Sequence, residues 1–307
     1  MIKNEIFQSK YKPIFLRLGN HSVLAIIALI VIGGATRVME AGLACPDWPL
    51  CYGTLIPTAH MNLRVFLEWF HRLDAFLVGM LIFTKFILSF IWRKYLPNWL
   101  PKTYSVLVFL IILQGSLGAL TVIKLLDSYT VSGHLLTAFL ILITNIYINQ
   151  NLKNNNKKPI IWWRLLVSLP LLLTLIQSTI GVRISSTWSA QLCISFNQQC
   201  LILNTHKLFA IPIILSILSI FFVSIFKQNL FINNWRYLCS AVLLLISQIF
   251  LGFLSIKTNL NEPIFIICHQ LFASLLIAIL TTLIFRNYST QQNIDSSLNT
   301  LIVGYKS

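Results

Sequence analysis

Charge is scarce in this chain, and acidic charge most of all. Aspartate and glutamate together number 8 among 307 residues, against 23 lysines and arginines; charged residues of all kinds make up 10% and hydrophobic residues 57%. That is too little charge to coat a soluble globule of this length. Apolar residues instead come in runs of roughly twenty, the length that carries a helix across the hydrocarbon core. Runs near 19–37, 67–91, 104–123, 131–149, 162–183, 201–226, 236–256 and 263–285 predict eight transmembrane helices. Backbone amides in lipid must be satisfied within each segment, so the expected fold class is an all-α integral membrane protein.

Basic residues are nearly missing from alternate loops, and the loop 185–199 has no charge at all. They gather in the others. Lys3, Lys10, Lys12 and Arg17 precede the first run, and Arg93, Lys94 and Lys102 lie between the second and third. Lys153, Lys157, Lys158 and Arg164 follow the fourth, Lys227 and Arg236 the sixth, and Arg286 and Lys306 the eighth. This alternation is the positive-inside pattern and places both termini in the cytoplasm. A net charge of +15 that sets topology in this way argues against a nucleic-acid partner and for the lipid bilayer. No small-residue cleavage site follows the first apolar run, so no cleaved signal peptide is expected, and a bacterial-type inner (plasma) membrane is.

The chain repeats itself. Gln114-Gly115-Ser116-Leu117-Gly118-Ala119-Leu120 in the third run matches Gln248-Ile249-Phe250-Leu251-Gly252-Phe253-Leu254 in the seventh, with Gln, Leu, Gly and Leu in register. A histidine follows each match about one run later, His134 and His269. The first and fifth runs finish in Arg37 and Arg183, and each is followed by a cysteine pair and then by His71 or His206. Two pseudo-symmetric four-helix bundles with the same topology follow from an even number of spans per repeat. Residues 1–149 form the first, 162–307 the second, and a cytoplasmic linker at 150–161 contains the Lys/Asn-rich stretch 151–158.

Of six histidines, His21 and His60 read as interfacial polar residues. His71, His134, His206 and His269 lie within a turn or two of the outer end of an even-numbered helix, at similar depth on one side of the membrane. A single one would be read as an interhelical hydrogen bond. Four in a repeated framework point to a cofactor, because ionisable groups within the membrane mark function and neutral imidazole is a ready axial ligand for iron. Tetrahedral zinc lacks donors, with two histidines per bundle and no nearby thiol or carboxylate set. His71 therefore pairs with His134, and His206 with His269, as two haem sites.

The halves differ. Glu68 stands three residues before His71 on the same helical face, whereas Leu203 holds that place before His206. A carboxylate beside one site points to chemistry in the first half only, although an acidic residue in a first helical turn also anchors that helix. Arg37, Arg72, Arg183 and Lys207 are candidates for pairing with haem propionates, or snorkelling cations at helix ends.

Cysteine is sparse as well. Cys45 and Cys51 share the first outer loop and Cys193 and Cys200 the third, on the oxidising side where disulfides persist. Pairing within each loop, Cys45–Cys51 and Cys193–Cys200, is the least demanding of three connectivities. The first pair has either a structural or a redox role, and Cys239 and Cys268 read as packed thiols.

The run Gly33-Gly34-Ala35-Thr36-Arg37, the loop Ala41-Gly42-Leu43-Ala44-Cys45-Pro46-Asp47-Trp48-Pro49-Leu50-Cys51-Tyr52-Gly53 and the helix start Glu68-Trp69-Phe70-His71-Arg72 together resemble the heme A synthase family in its cysteine-bearing form. The resemblance implies an oxidoreductase that converts haem O to haem A, a methyl group becoming a formyl group with water as oxygen source. It implies substrate haem between His71 and His134, a haem b cofactor between His206 and His269, and Glu68 as the essential carboxylate. It links the Cys45/Cys51 pair to haem handling or redox. Partners implied are haem O synthase (protohaem farnesyltransferase) and an electron acceptor. Two other readings stay open from the residues: a non-catalytic bis-histidine haem carrier or electron conduit, and a thiol-oxidising membrane protein passing electrons from outer cysteines to quinone.

Overall fold

A computed structural model describes residues 5–153, 160–186 and 200–286. Eight helices among the described residues are long and apolar enough to cross a membrane. They are α1 (Lys12–Val38), α2 (Leu63–Ile91), α3 (Trp99–Ile123), α4 (Ser128–Lys153), α5 (Ile161–Ser186), α6 (Leu201–Phe226), α7 (Gln228–Lys257) and α8 (Pro263–Phe285). The protein is an all-α, multi-pass membrane protein. Each apolar run lies within one helix, and most helices extend beyond their run into polar flanks. The widest extension is in α7, where Gln228–Arg236 adds two turns before the apolar run at 236–256. Polar side chains at that end do not break a helix whose backbone bonds are already made.

Local signals set the ends. Pro13 sits in the first turn of α1 and Pro263 in that of α8, where a missing N–H is not felt. Asn62 caps α2, its side-chain oxygen accepting from the Val65 N–H at 3.1 Å. The turns leaving α3 and α7 are copies of one another. Leu125 and Leu126 have positive φ (50° and 62°), as have Asn259 and Leu260 (52° and 62°). The Leu126 N–H donates to Thr121 O at 2.7 Å and the Leu260 N–H to Ser255 O at 2.9 Å. A leucine in the left-handed region costs roughly 1–2 kcal/mol, so its recurrence at the same place extends the repeat into the backbone.

The helices pack in two rings of four. In the first, α1 touches α2, α2 touches α3, α3 touches α4 and α4 returns to α1; in the second, α5, α6, α7 and α8 do the same. The rings meet through α1 with α8, α4 with α5 and α4 with α8. Phe15, Leu142, Trp163, Ile217 and Leu280 are fully buried in one apolar core that runs through both rings. Phe76, Phe109, Phe222 and Phe253 point outward, as the lipid face of a membrane protein requires.

One polar cluster interrupts the core of the first ring. Lys85 of α2 is fully buried, donates to Ser22 Oγ of α1 at 2.7 Å and to Asn145 Oδ1 of α4 at 3.0 Å, and lies 5.6 Å from the ring of Tyr104 on α3. All four helices of the ring are thus tied to one cation. Cys239, expected as a packed thiol, is exposed on the outer face of α7, and Cys268 is half-buried. The apolar run around Cys239 reads the same whichever face points inward.

Candidate haem sites

The four histidines sit on the diagonals of the rings: His71 on α2 opposite His134 on α4, and His206 on α6 opposite His269 on α8. The other two helices of each ring present glycine to them. A Cβ on Gly33 of α1 would lie 2.8 Å from His71 Cε1, and one on Gly118 of α3 3.2 Å from His134 Cε1. One on Gly181 of α5 would lie 3.1 Å from His206 Cε1, and one on Gly252 of α7 3.6 Å from His269 Cε1. All four imidazoles have a buried Nδ1 with no hydrogen-bond partner.

Glutamines complete the frame. Gln177 of α5 donates to His206 O at 2.8 Å, and Gln248 of α7 to His269 O at 2.6 Å. The Gln114 amide of α3 lies 3.3 Å from the His134 ring nitrogen Nε2. Three of the four histidine-facing glycines are therefore preceded, one turn earlier on the same face, by a glutamine that reaches the same histidine. Gln177 and Gly181 were missed from sequence, yet they spell the same Gln-x-x-x-Gly pattern as the two matched segments.

The second pair fits one ligand geometry well. The His206 and His269 ring centroids are 6.4 Å apart. With metal–imidazole bonds of roughly 2 Å, two imidazoles facing across a single ion need about this separation. Among the described residues no group of three or more His, Cys, Asp and Glu side chains could hold a metal ion, so a tetrahedral zinc site has no donors here. In each ring two imidazoles, each with a buried unpartnered Nδ1, and glycine on the flanking walls suit a planar macrocycle that brings its own remaining ligands.

The first ring adds charge. Glu68 is buried; its Oε2 accepts from the Cys45 N–H at 2.7 Å and its Oε1 is paired with Arg72. Arg72 also donates to Asp47 O and Leu50 O. Both acceptors lie in the loop closed by the Cys45–Cys51 disulfide, whose Cα atoms are 4.8 Å apart. Glu68, Arg72 and the disulfide loop thus form one network, with Arg72 turned towards the loop and the carboxylate. In the same loop the Gly53 and Tyr52 N–H groups donate to the Asp47 carboxylate, which they and nearby Arg72 hold below the usual carboxylate range. The Trp48–Pro49 peptide is cis. Asp74, a second carboxylate on α2 one turn beyond His71, is half-buried and was not singled out from sequence.

The remaining candidates are more dispersed. Arg37 donates from Nη2 to Gln270 Oε1 at 3.1 Å, across the seam between the rings. Arg183 lies 4.9 Å from the ring of Tyr129, also across the seam. Lys207 is exposed beside His206. His21 bonds its own helix through Arg17 O, and His60 stacks on Tyr52 with centroids 4.1 Å apart. Cys193, and with it the expected Cys193–Cys200 pairing, lies outside the described residues.

Residues 17–281 match the model of the family described as Cytochrome oxidase assembly protein, COX15-CtaA. The chain belongs to that family. Similar members are named Heme A synthase. That of Shewanella oneidensis is 34% identical over 131 residues, covering 37% of this chain and 38% of its own. That of Bradyrhizobium diazoefficiens is 32% identical over 166 residues, 43% of this chain and 46% of its own. That of Shouchella clausii is 36% identical over 105 residues, 34% of each. The aligned parts span between about a third and a half of these relatives.

Proposed function

We propose that this family member is a heme A synthase, oxidising a methyl group of haem O to the formyl group of haem A. The observation that carries the reading is the pairing of two like histidine diagonals with a single buried carboxylate, Glu68, beside one of them. Family membership and the relatives' names support it. In this reading His71 and His134 hold the substrate haem, and His206 and His269 hold a haem b cofactor that supplies a one-electron redox centre when bound. Residues 1–149 are the substrate bundle and 162–307 the cofactor bundle, joined by the linker 150–161. Both termini face the cytoplasm of a bacterial-type inner membrane, and the haem sites and disulfide loop face outward.

Water is the oxygen source in this proposal, so each replacement of a methyl hydrogen by a hydroxyl releases two protons and two electrons, four of each over the two replacements, and loss of water from the twice-hydroxylated carbon leaves the formyl group. Glu68 accepts protons there, held at a fixed position by the Cys45 N–H and Arg72. Electrons pass to an external acceptor, and haem O arrives from haem O synthase. Arg37, Arg183 and Lys207 lie near the histidine-bearing ends as partners for propionates, while Arg72 does its work on the loop. The close embrace of Glu68 also favours a second reading, in which it merely anchors α2 to the loop of a non-catalytic haem carrier.

One experiment separates these. The wild type and Glu68→Gln are expressed in a host that makes haem O but lacks the conversion, and extracted haems are chromatographed. Haem A or its hydroxylated precursor from the wild type, lost in the variant, supports the synthase. Only haem b and unmodified haem O from a folded, haem-loaded wild type would place the carrier first.

A further inference from the structure

A shallow groove of about 540 Å³ runs along the outer face of α3, lined by Trp48, Ile111, Ile112, Gly115, Ser116, Ala119 and Leu120. A Cβ on Gly115 would meet nothing within 4 Å. The groove shares its helix with one wall of the first histidine pair. Gly118, on the next face of the same turn, packs against His134, whose Nδ1 is buried without a partner. Trp48 follows Asp47, whose carbonyl is held by the Arg72 that pairs with Glu68.

The internal repeat supplies a control within the same molecule. In the register that aligns Gln114 with Gln248 and Gly118 with Gly252, Gly115, Ser116 and Ala119 correspond to Ile249, Phe250 and Phe253. Those three are large and exposed on α7. The second half therefore carries bulky apolar side chains at the places where the first half has small ones. Apart from its isoprenoid chain, haem O resembles haem b, so the half that receives haem O must house a long apolar tail and the half that receives haem b need not.

We infer that the α3 groove binds the isoprenoid chain of the substrate haem, beside Trp48 and open to lipid along its length. The inference rests on the proposal that haem O binds between His71 and His134. An apolar tail that already lies in the bilayer can slide into such a groove sideways, leaving the macrocycle to enter between α2 and α4. The groove then selects tailed from tail-less haem at a site whose axial ligands do not distinguish them.

The test converts the first groove into the second. Purified wild type and the triple variant Gly115→Ile, Ser116→Phe, Ala119→Phe, each carrying haem at His206/His269, are titrated with haem O and with haem b, and the bis-imidazole absorbance is followed. His71→Ala identifies the site that is filling. The wild type is expected to prefer haem O by about tenfold or more, and the triple variant to lose that preference while keeping its haem b affinity. Retained preference in the variant, or equal weakening for both haems, overturns the inference. If the triple variant loses its resident haem, Ala119→Phe alone is titrated, with a partial loss of preference expected and an unchanged preference overturning the inference. A wild type that prefers haem O but makes no haem A would sink the synthase reading and leave the groove standing.

Discussion

Both halves carry two histidines on diagonal helices with glycine on the walls between them. They differ in what surrounds that frame. Where the first ring has Glu68, Arg72, Asp74 and Lys85 along α2, the second has Leu203, Lys207, Phe209 and Ile220 along α6. The contrast separates two tasks. Holding a macrocycle needs imidazole, small residues and an apolar wall, and both halves have these. Moving protons at a fixed place needs a charged group kept in position, and among the described residues only the first half holds such a network.

The comparison breaks most sharply at Glu68. Glu68→Gln is expected to lower haem A formation by about 10²–10⁴-fold, leaving haem at His206/His269 unchanged by absorbance. If turnover survives, the charged network is an anchor and the halves do not differ in chemistry. Next in size is Cys51→Ser. Opening the loop frees the Cys45 N–H and the carbonyls that hold Arg72, so turnover should fall by up to about a hundredfold through misplacement of Glu68, with haem content preserved. A loss of haem from the second half instead would assign the disulfide to overall folding.

The glycine walls sharpen the comparison further. Gly33→Ala places a Cβ 2.8 Å from His71 Cε1 and should weaken haem binding in the first half by about 1–3 kcal/mol. Gly252→Ala, at 3.6 Å from His269 Cε1, is in ordinary contact and should leave the second site near wild type. Titration of each variant reads the difference; equal effects would mean the imidazoles move freely. A smaller loss than that of Gly33→Ala belongs to Lys85→Ile, which copies the second half. It removes the donors to Ser22 and Asn145 and should cost about 1 kcal/mol, measured as a lower unfolding midpoint in detergent.

Much of the fold is legible in the sequence. Twenty-residue apolar runs fix spanning helices because lipid offers the backbone no alternative partner, and the spacing of the four histidines leads to the expectation that they share one depth. The pairing of Arg72 with loop carbonyls was not legible, since an arginine after a histidine reads equally as a propionate partner, and loop conformation decides. Lys85 was passed over because one cation in a long apolar run carries no sign of what faces it from three other helices. Gln177-x-x-x-Gly181 was readable as a third copy of a known pattern, but it falls in a helix that the repeat register had not linked to α3 and α7.

The seam between the rings has one further consequence. Exchanging α1 with α5 and α4 with α8 turns the α1–α8 contact into the α4–α5 contact, and returns α4–α8 to itself. That is the self-complementary interface of a two-fold homodimer, here within one polypeptide. Two identical subunits cannot keep different residues at equivalent places, because any substitution appears twice. Joining the copies in tandem lifts that constraint, so Gln270 can meet Arg37 at the seam while its equivalent is Leu135, and one copy can change its chemistry while the other keeps the frame.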